Sequence, residues 1–118
     1  MSERDYRLFL NDIKECADNV LNYTRGKCFD DFMHDRMLRD AVIRNLEIMG
    51  EAVKNLPDEV RERHLEIEWR EIARFRDVVA HRYFATDYEI IWDIVQKDIP
   101  DLVPKIEEVI EKESKARL

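Results

Sequence analysis

Apolar residues recur along this chain at intervals of three and four, with charged residues filling the positions between, and that period is helical. From about Ser2 to Thr24, Tyr6, Phe9, Leu10, Ile13, Ala17, Val20 and Leu21 form one stripe, with Asp5, Asp12, Lys14, Glu15 and Asp18 largely opposite. Ser2 is the expected N-cap and Gly26 the stop. Phe29 to Met33 reads as a single turn. A long helix is then expected from about Asp35 to Leu56, closed by Pro57. Met37, Ala41, Met49, Val53 and Leu56 make one of its faces, but Leu38, Val42, Ile43, Leu46 and Ile48 carry apolar character well around the cylinder. A helix apolar on two sides has neighbours on two sides. A second copy of the chain is one candidate neighbour.

Pro57-Asp58 opens a short helix through about His64, and another follows Glu68. Over Trp69 to Tyr83 the positions Trp69, Ile72, Ala73, Val79, Ala80 and Tyr83 form one stripe. Thr86-Asp87-Tyr88-Glu89 has capping-box spacing, which predicts a helix from Asp87 that carries Ile91, Trp92 and Val95 inward and ends near Ile99-Pro100. A last helix holds Leu102, Val103, Ile106, Val109 and Ile110 and dissolves into the charged stretch Glu111 to Arg117. No internal repeat, low-complexity tract or linker interrupts the pattern. The expectation is one all-α domain over residues 1–118, an up-and-down bundle of about four to five main helices.

Composition narrows the function classes. A chain of 118 residues buries a core without staples, and two glycines with three prolines leave little material for hairpins. Hydrophobic residues at 45% beside 40% charged ones suit a folded helical domain with ion-paired surfaces. A net charge of -7 argues against a generic nucleic-acid coat. The helix after Glu68 runs against that balance, with Arg70, Arg74, Arg76 and Arg82 facing only Glu71 and Asp77; an ordinary solvated helix face is the alternative. Cys16 and Cys28 form neither a CxxC pair nor a metal spacing, so idle thiols in a reducing compartment are expected. His34 and His64 also lack partners at metal spacing, and no metal or cofactor is expected. No Gly-rich phosphate loop or GxSxG elbow is present, and Trp69 and Trp92 read as core. The opening residues do not read as a signal peptide, nothing reads as a membrane span, and a cytoplasmic protein is expected.

The chemistry concentrates between Trp69 and Tyr83. Arg76 falls within the apolar stripe, and a guanidinium there needs an anion, either a carboxylate from another element or a ligand phosphate. His81 follows, the side-chain type suited to proton transfer near neutrality, and then the phenol of Tyr83. On a regular helix Arg76 and His81 lie about 140° apart and about 7.5 Å along the axis, so they do not share a face. Asp77 and His81 do share one, and the Asp77 carboxylate is placed to fix the imidazole tautomer. The structural alternative is an ordinary Asp77–His81 helix pair, with Arg76 bonded to a carboxylate from the Glu47–Glu51 region.

Arg76 to Tyr83 reads Arg-x4-His-x-Tyr, and it resembles the signature of the HepT-like ribonuclease toxins of the HEPN superfamily. The similarity extends over nearly the whole chain, through Gly50-Glu51-Ala52, Trp69 with Glu71-Ile72, and Trp92 with Asp98-Ile99-Pro100. The resemblance implies a homodimeric helical bundle and a metal-independent endoribonuclease toxin that acts on RNA. A cognate minimal nucleotidyltransferase of the MntA type is implied as antitoxin. Carried over, Arg76 and His81 become the catalytic pair, Asp77 a supporting residue and Tyr83 the AMP acceptor. Arg70, Arg74 and Arg82 are RNA-contact candidates. Asp77 stands where the family commonly has asparagine, and Arg74 where a small residue is frequent. The alternative function is a catalytically silent helical module that docks a nucleotidyltransferase and presents nucleotide or nucleic acid to it.

Overall fold

Asp5 starts the first helix: its carboxylate accepts the Arg7 main-chain N–H at 3.0 Å, satisfying one donor that a helix start leaves open. The structure is a computed structural model and describes residues 5–115, so the expected N-cap Ser2 lies outside the described residues. Helix α1 spans Tyr6–Thr24 and stops where Gly26 takes φ of +74°, a conformation that glycine adopts without a Cβ penalty. The short α2, Phe29–His34, follows as expected for that turn. Asp35 then caps α3, Arg36–Lys54, by accepting the Leu38 N–H at 3.1 Å. After Pro57 come the short α4, Asp58–Arg63, and α5, Trp69–Ala80. Among the described residues every regular element is helical.

Helix α3 is the centre of the bundle. It packs against α1 on one side and α5 on the other, and α1 also packs on the last helix. Both sides of α3 that carry apolar residues therefore have neighbours within the same chain. Met37 departs from the expected face and is 84% exposed, while Leu38 takes the inward position. Leu10, Ile13, Leu46, Met49, Ile91 and Ile106 are completely enclosed, each contributing roughly 1.5–3 kcal/mol of burial. Phe32, also fully enclosed, packs tilted against Trp92 with ring centroids 5.1 Å apart and pins α2 to the helix that carries Trp92.

Two boundaries move from their expected places. Thr86 does not cap the next helix. Helix α6, Ala85–Asp93, begins two residues earlier, and the Asp87 carboxylate reaches back to the N–H groups of Phe84 and Tyr83 at 2.7 and 2.8 Å. Nor does the chain break at Ile99-Pro100. Residues Ile94–Asp98 form a π turn, with Ile99 N–H bonded to Ile94 C=O, and α7 continues through Ile99–Lys115. Pro100 lacks an N–H, and its ring crowds the carbonyl four residues back in a regular helix; the widened turn relieves that conflict. Ile91, Trp92 and Val95 point inward as expected.

The expected charged tail is helical through Lys115, and Glu113 within it is buried. Its carboxylate accepts Tyr6 Oη at 2.6 Å, Arg63 Nη2 at 2.9 Å and His64 Nε2 at 2.5 Å, tying α7 to α1 and to the end of α4. Burial pushes this carboxyl up, but the hydrogen bonds from Arg63, Tyr6 and His64 outweigh it and bring it to about 2. A depressed folded pKa adds stability above the unfolded value, and that stability is lost as pH falls through the folded one. Wild-type protein should lose this contribution between about pH 5 and pH 2. Glu113→Ala should cost about 3 kcal/mol at neutral pH, since it strands a buried histidine and part of an arginine. Urea titrations at a series of pH values check this: parallel curves for the two proteins down to pH 2 would contradict it.

Candidate functional site

Trp69 sets the start of the motif helix. Its indole N–H donates to His64 C=O at 2.9 Å and to Arg61 C=O at 3.2 Å, locking α5 to the α4 exit. Trp69, Ile72, Phe75 and Val79 are the buried residues of α5. Phe75 thus takes the inward place, and Arg76 stands at the margin, about half exposed. Ala80 and Tyr83 are exposed rather than part of the inward stripe. Gly50 of α3 meets α5 directly beneath Arg76. A Cβ on Gly50 would lie 3.0 Å from both Arg76 Cβ and Arg76 N, and 3.1 Å from Ala73 O. Only a residue without a side chain lets the two helices approach this closely.

The next residue, Glu51, supplies the anion. Its Oε2 lies 2.8 Å from Arg76 Nη1, which is the carboxylate partner that the structural alternative foresaw in the Glu47–Glu51 region. Both side chains face an open cleft of about 410 Å³ whose walls include Phe9, Arg44, Glu47, Ile48 and Asn55. His81 is not among those walls.

Helix α5 stops at Ala80, short of the expected Tyr83, so His81 is its C-cap. The exposed imidazole turns back, and Nδ1 lies 2.8 Å from Asp77 O. A carbonyl only accepts, so the neutral ring carries its proton on Nδ1 and leaves the Nε2 lone pair free. The tautomer is fixed by the Asp77 main chain, not by its carboxylate. Tyr83 is 73% exposed, and its ring stands edge-on to His81 with centroids 6.4 Å apart. The Asp87 bond to its N–H fixes the turn that holds it.

The other arginines differ in their freedom. Arg74 is paired with Glu71 at 2.9 Å, Arg82 donates to Val79 C=O, and Arg70 is exposed beside Leu65 and Trp69. His64 is committed to Glu113, and His34 bonds Asp30 O at 2.7 Å. Burial pushes the Cys16 thiol up to about 11, so it is no nucleophile at neutral pH. Among the described residues, no group of three or more His, Cys, Asp or Glu side chains is arranged to hold a metal ion. None of the described helices is long and apolar enough to cross a membrane.

A family model described as ribonuclease HepT-like matches residues 13–109. A Thermococcus cleftensis protein named "Probable ribonuclease HepT" is 44% identical over 107 residues, covering 91% of this chain and 97% of its own. A Methanocaldococcus jannaschii protein, provisionally named an RNase, is 44% identical over 110 residues, 93% of this chain and 91% of that one. A third, also provisionally named an RNase, from Caldanaerobacter subterraneus, is 43% identical over 107 residues, 91% of this chain and 96% of its own. No solved structure matches the chain at a significant level. The family match spans both the Gly50–Arg76 crossing and the whole Arg-x4-His-x-Tyr motif, and the chain belongs to the HepT-like ribonuclease family.

Proposed function

We propose that this chain is a metal-independent endoribonuclease toxin whose catalytic residues are Arg76 and His81. The observation that carries the reading is the exposed His81 imidazole, held in one tautomer by Asp77 O at 2.8 Å with Nε2 open to a substrate. RNA brings its own nucleophile. Nε2 takes the proton of the 2′-hydroxyl as that oxygen bonds to phosphorus. Charge builds on the non-bridging oxygens, where the Arg76 guanidinium offers a planar fork of donors. The bond from phosphorus to the 5′-oxygen breaks, and the leaving oxygen takes a proton from water. The products are a 2′,3′-cyclic phosphate and a 5′-hydroxyl. Arg70 is the most available of the RNA-contact candidates; Arg74 and Arg82 must first exchange their present partners.

The partners follow the same chemistry. Tyr83 offers an exposed phenol beside His81, and a minimal nucleotidyltransferase of the MntA type is the proposed antitoxin. AMP on that oxygen adds negative charge and bulk next to the base, repelling the RNA backbone. Because Arg76 opens on a cleft that His81 does not line, a homodimer sharing one RNA groove is the proposed working form. The exposed Phe84 and Ile90 beside the motif are the surface we assign to it. An active monomer in sedimentation-matched assays would count against that arrangement.

His81→Ala should abolish RNA cleavage and leave the fold intact, because the side chain is exposed. Arg76→Lys should keep only a small fraction of activity, since a point charge cannot replace the fork. Gel assays on labelled RNA check both, and wild-type rates in either variant would contradict the assignment. Complete inactivity of the wild-type chain would instead favour the silent binding module.

Tyr83→Phe should cleave RNA but escape inhibition by the co-expressed nucleotidyltransferase. Intact-mass spectrometry should then find AMP additions on the wild type and none at this position in the variant. Inhibition of an unmodified wild type would point to blocking by complex formation.

A further inference from the structure

We propose that Glu51 is the positioning residue for the Arg76 guanidinium, fixing which of its edges meets the scissile phosphate. The inference rests on the ribonuclease reading above. Arg76 is a long side chain, about half exposed at the rim of an open cleft. Left alone, such a group samples many rotamers, few of which aim at a given phosphate. Two consecutive residues of α3 remove that freedom. Gly50 lets α3 come so near the root of the side chain that a Cβ on it would stand 3.0 Å from Arg76 Cβ, and Glu51 Oε2 holds the tip at 2.8 Å. The contact uses Nη1 and leaves the rest of the fork for phosphoryl oxygens. Asp12 and Glu47 share the cleft, Glu47 in a pair with Arg44, and Glu51 is the carboxylate paired with Arg76 at 2.8 Å.

The sign of its effect separates positioning from simple neutralisation. A carboxylate in the cleft repels the RNA backbone, so deleting it cannot weaken the ground-state attraction for substrate. Removal should leave KM unchanged or lower while kcat falls, because only the orientation in the transition state is lost. Glutamine keeps an acceptor oxygen at the same reach, so it should rescue most of that loss.

Steady-state cleavage of a fluorogenic single-stranded RNA by the full chain tests this. Glu51→Ala should lower kcat about 10- to 100-fold, the scale of a misplaced catalytic group, with KM no higher than wild type. Glu51→Gln should stay within about threefold of wild type in kcat. In an Arg76→Lys background Glu51→Ala should cost much less, since the guanidinium it orients is gone. The melting temperature should not move, because an exposed ion pair adds little to stability. A kcat for Glu51→Ala at or above wild type would make Glu51 a competitor of the phosphate and overturn the proposal. An equal loss in the Arg76→Lys background would place its effect elsewhere and overturn it too. If Arg76→Ala is inactive while Glu51→Ala is normal, only the Glu51 inference fails. If Arg76→Ala cleaves like wild type, the catalytic assignment of Arg76 fails first.

Discussion

The site depends on how closely α3 can approach α5. At their crossing Gly50 lies against the backbone and Cβ of Arg76, at distances where a methyl group would displace one helix. Glycine inside a helix costs about 1 kcal/mol relative to alanine, so the crossing is maintained against local propensity. What it gains is a fixed root for the Arg76 side chain and a neighbouring carboxylate at ion-pair distance. Phe75 and Val79 of α5 and Met49 and Val53 of α3 are all buried in the one core that joins the two helices. The chain thus positions its cation through packing and leaves the charged group itself accessible.

The electrostatics are local rather than global. A protein of net charge -7 gains no long-range attraction for RNA, and most arginines of the motif region already have partners. At Arg74 and Arg82 substrate phosphates must exchange with those partners at close range. Binding of this kind is weak until several contacts form together, and it is sensitive to salt. His81 needs no such exchange. Its ring is oriented by a main-chain carbonyl, which leaves Nε2 open for the proposed role as base.

Much of the architecture was legible in the periodicity. The positions of α1, α3, α4 and the start of α5, the stop at Gly26 and the inward set Ile91, Trp92 and Val95 follow from spacing, caps and breakers. The misplaced features share a cause, which is tertiary contact that no local pattern carries. Pro100 reads as a helix end, yet a π turn absorbs it. Glu113 reads as tail, yet three partners from distant segments bury it. Met37 fits the apolar stripe and faces solvent, whereas Phe75 and Phe32 were core residues without being singled out. At the site, Arg-x4-His-x-Tyr was readable as a motif, and a Glu47–Glu51 carboxylate was already among the possible partners of Arg76. The early end of α5 was not visible, because nothing in Ala80-His81-Arg82 is a strong stop signal. Gly50, one of only two glycines, was the available clue to a close helix crossing.

The central claim is that these side chains alone cleave RNA through its own 2′-hydroxyl, with His81 as the base. End-group analysis of RNA fragments produced by the purified, unmodified chain in excess EDTA addresses it most directly. The account predicts fragments ending in 2′,3′-cyclic phosphate and beginning with 5′-hydroxyl. Fragments carrying 3′-hydroxyl and 5′-phosphate ends, or no cleavage until a divalent ion is restored, would contradict it.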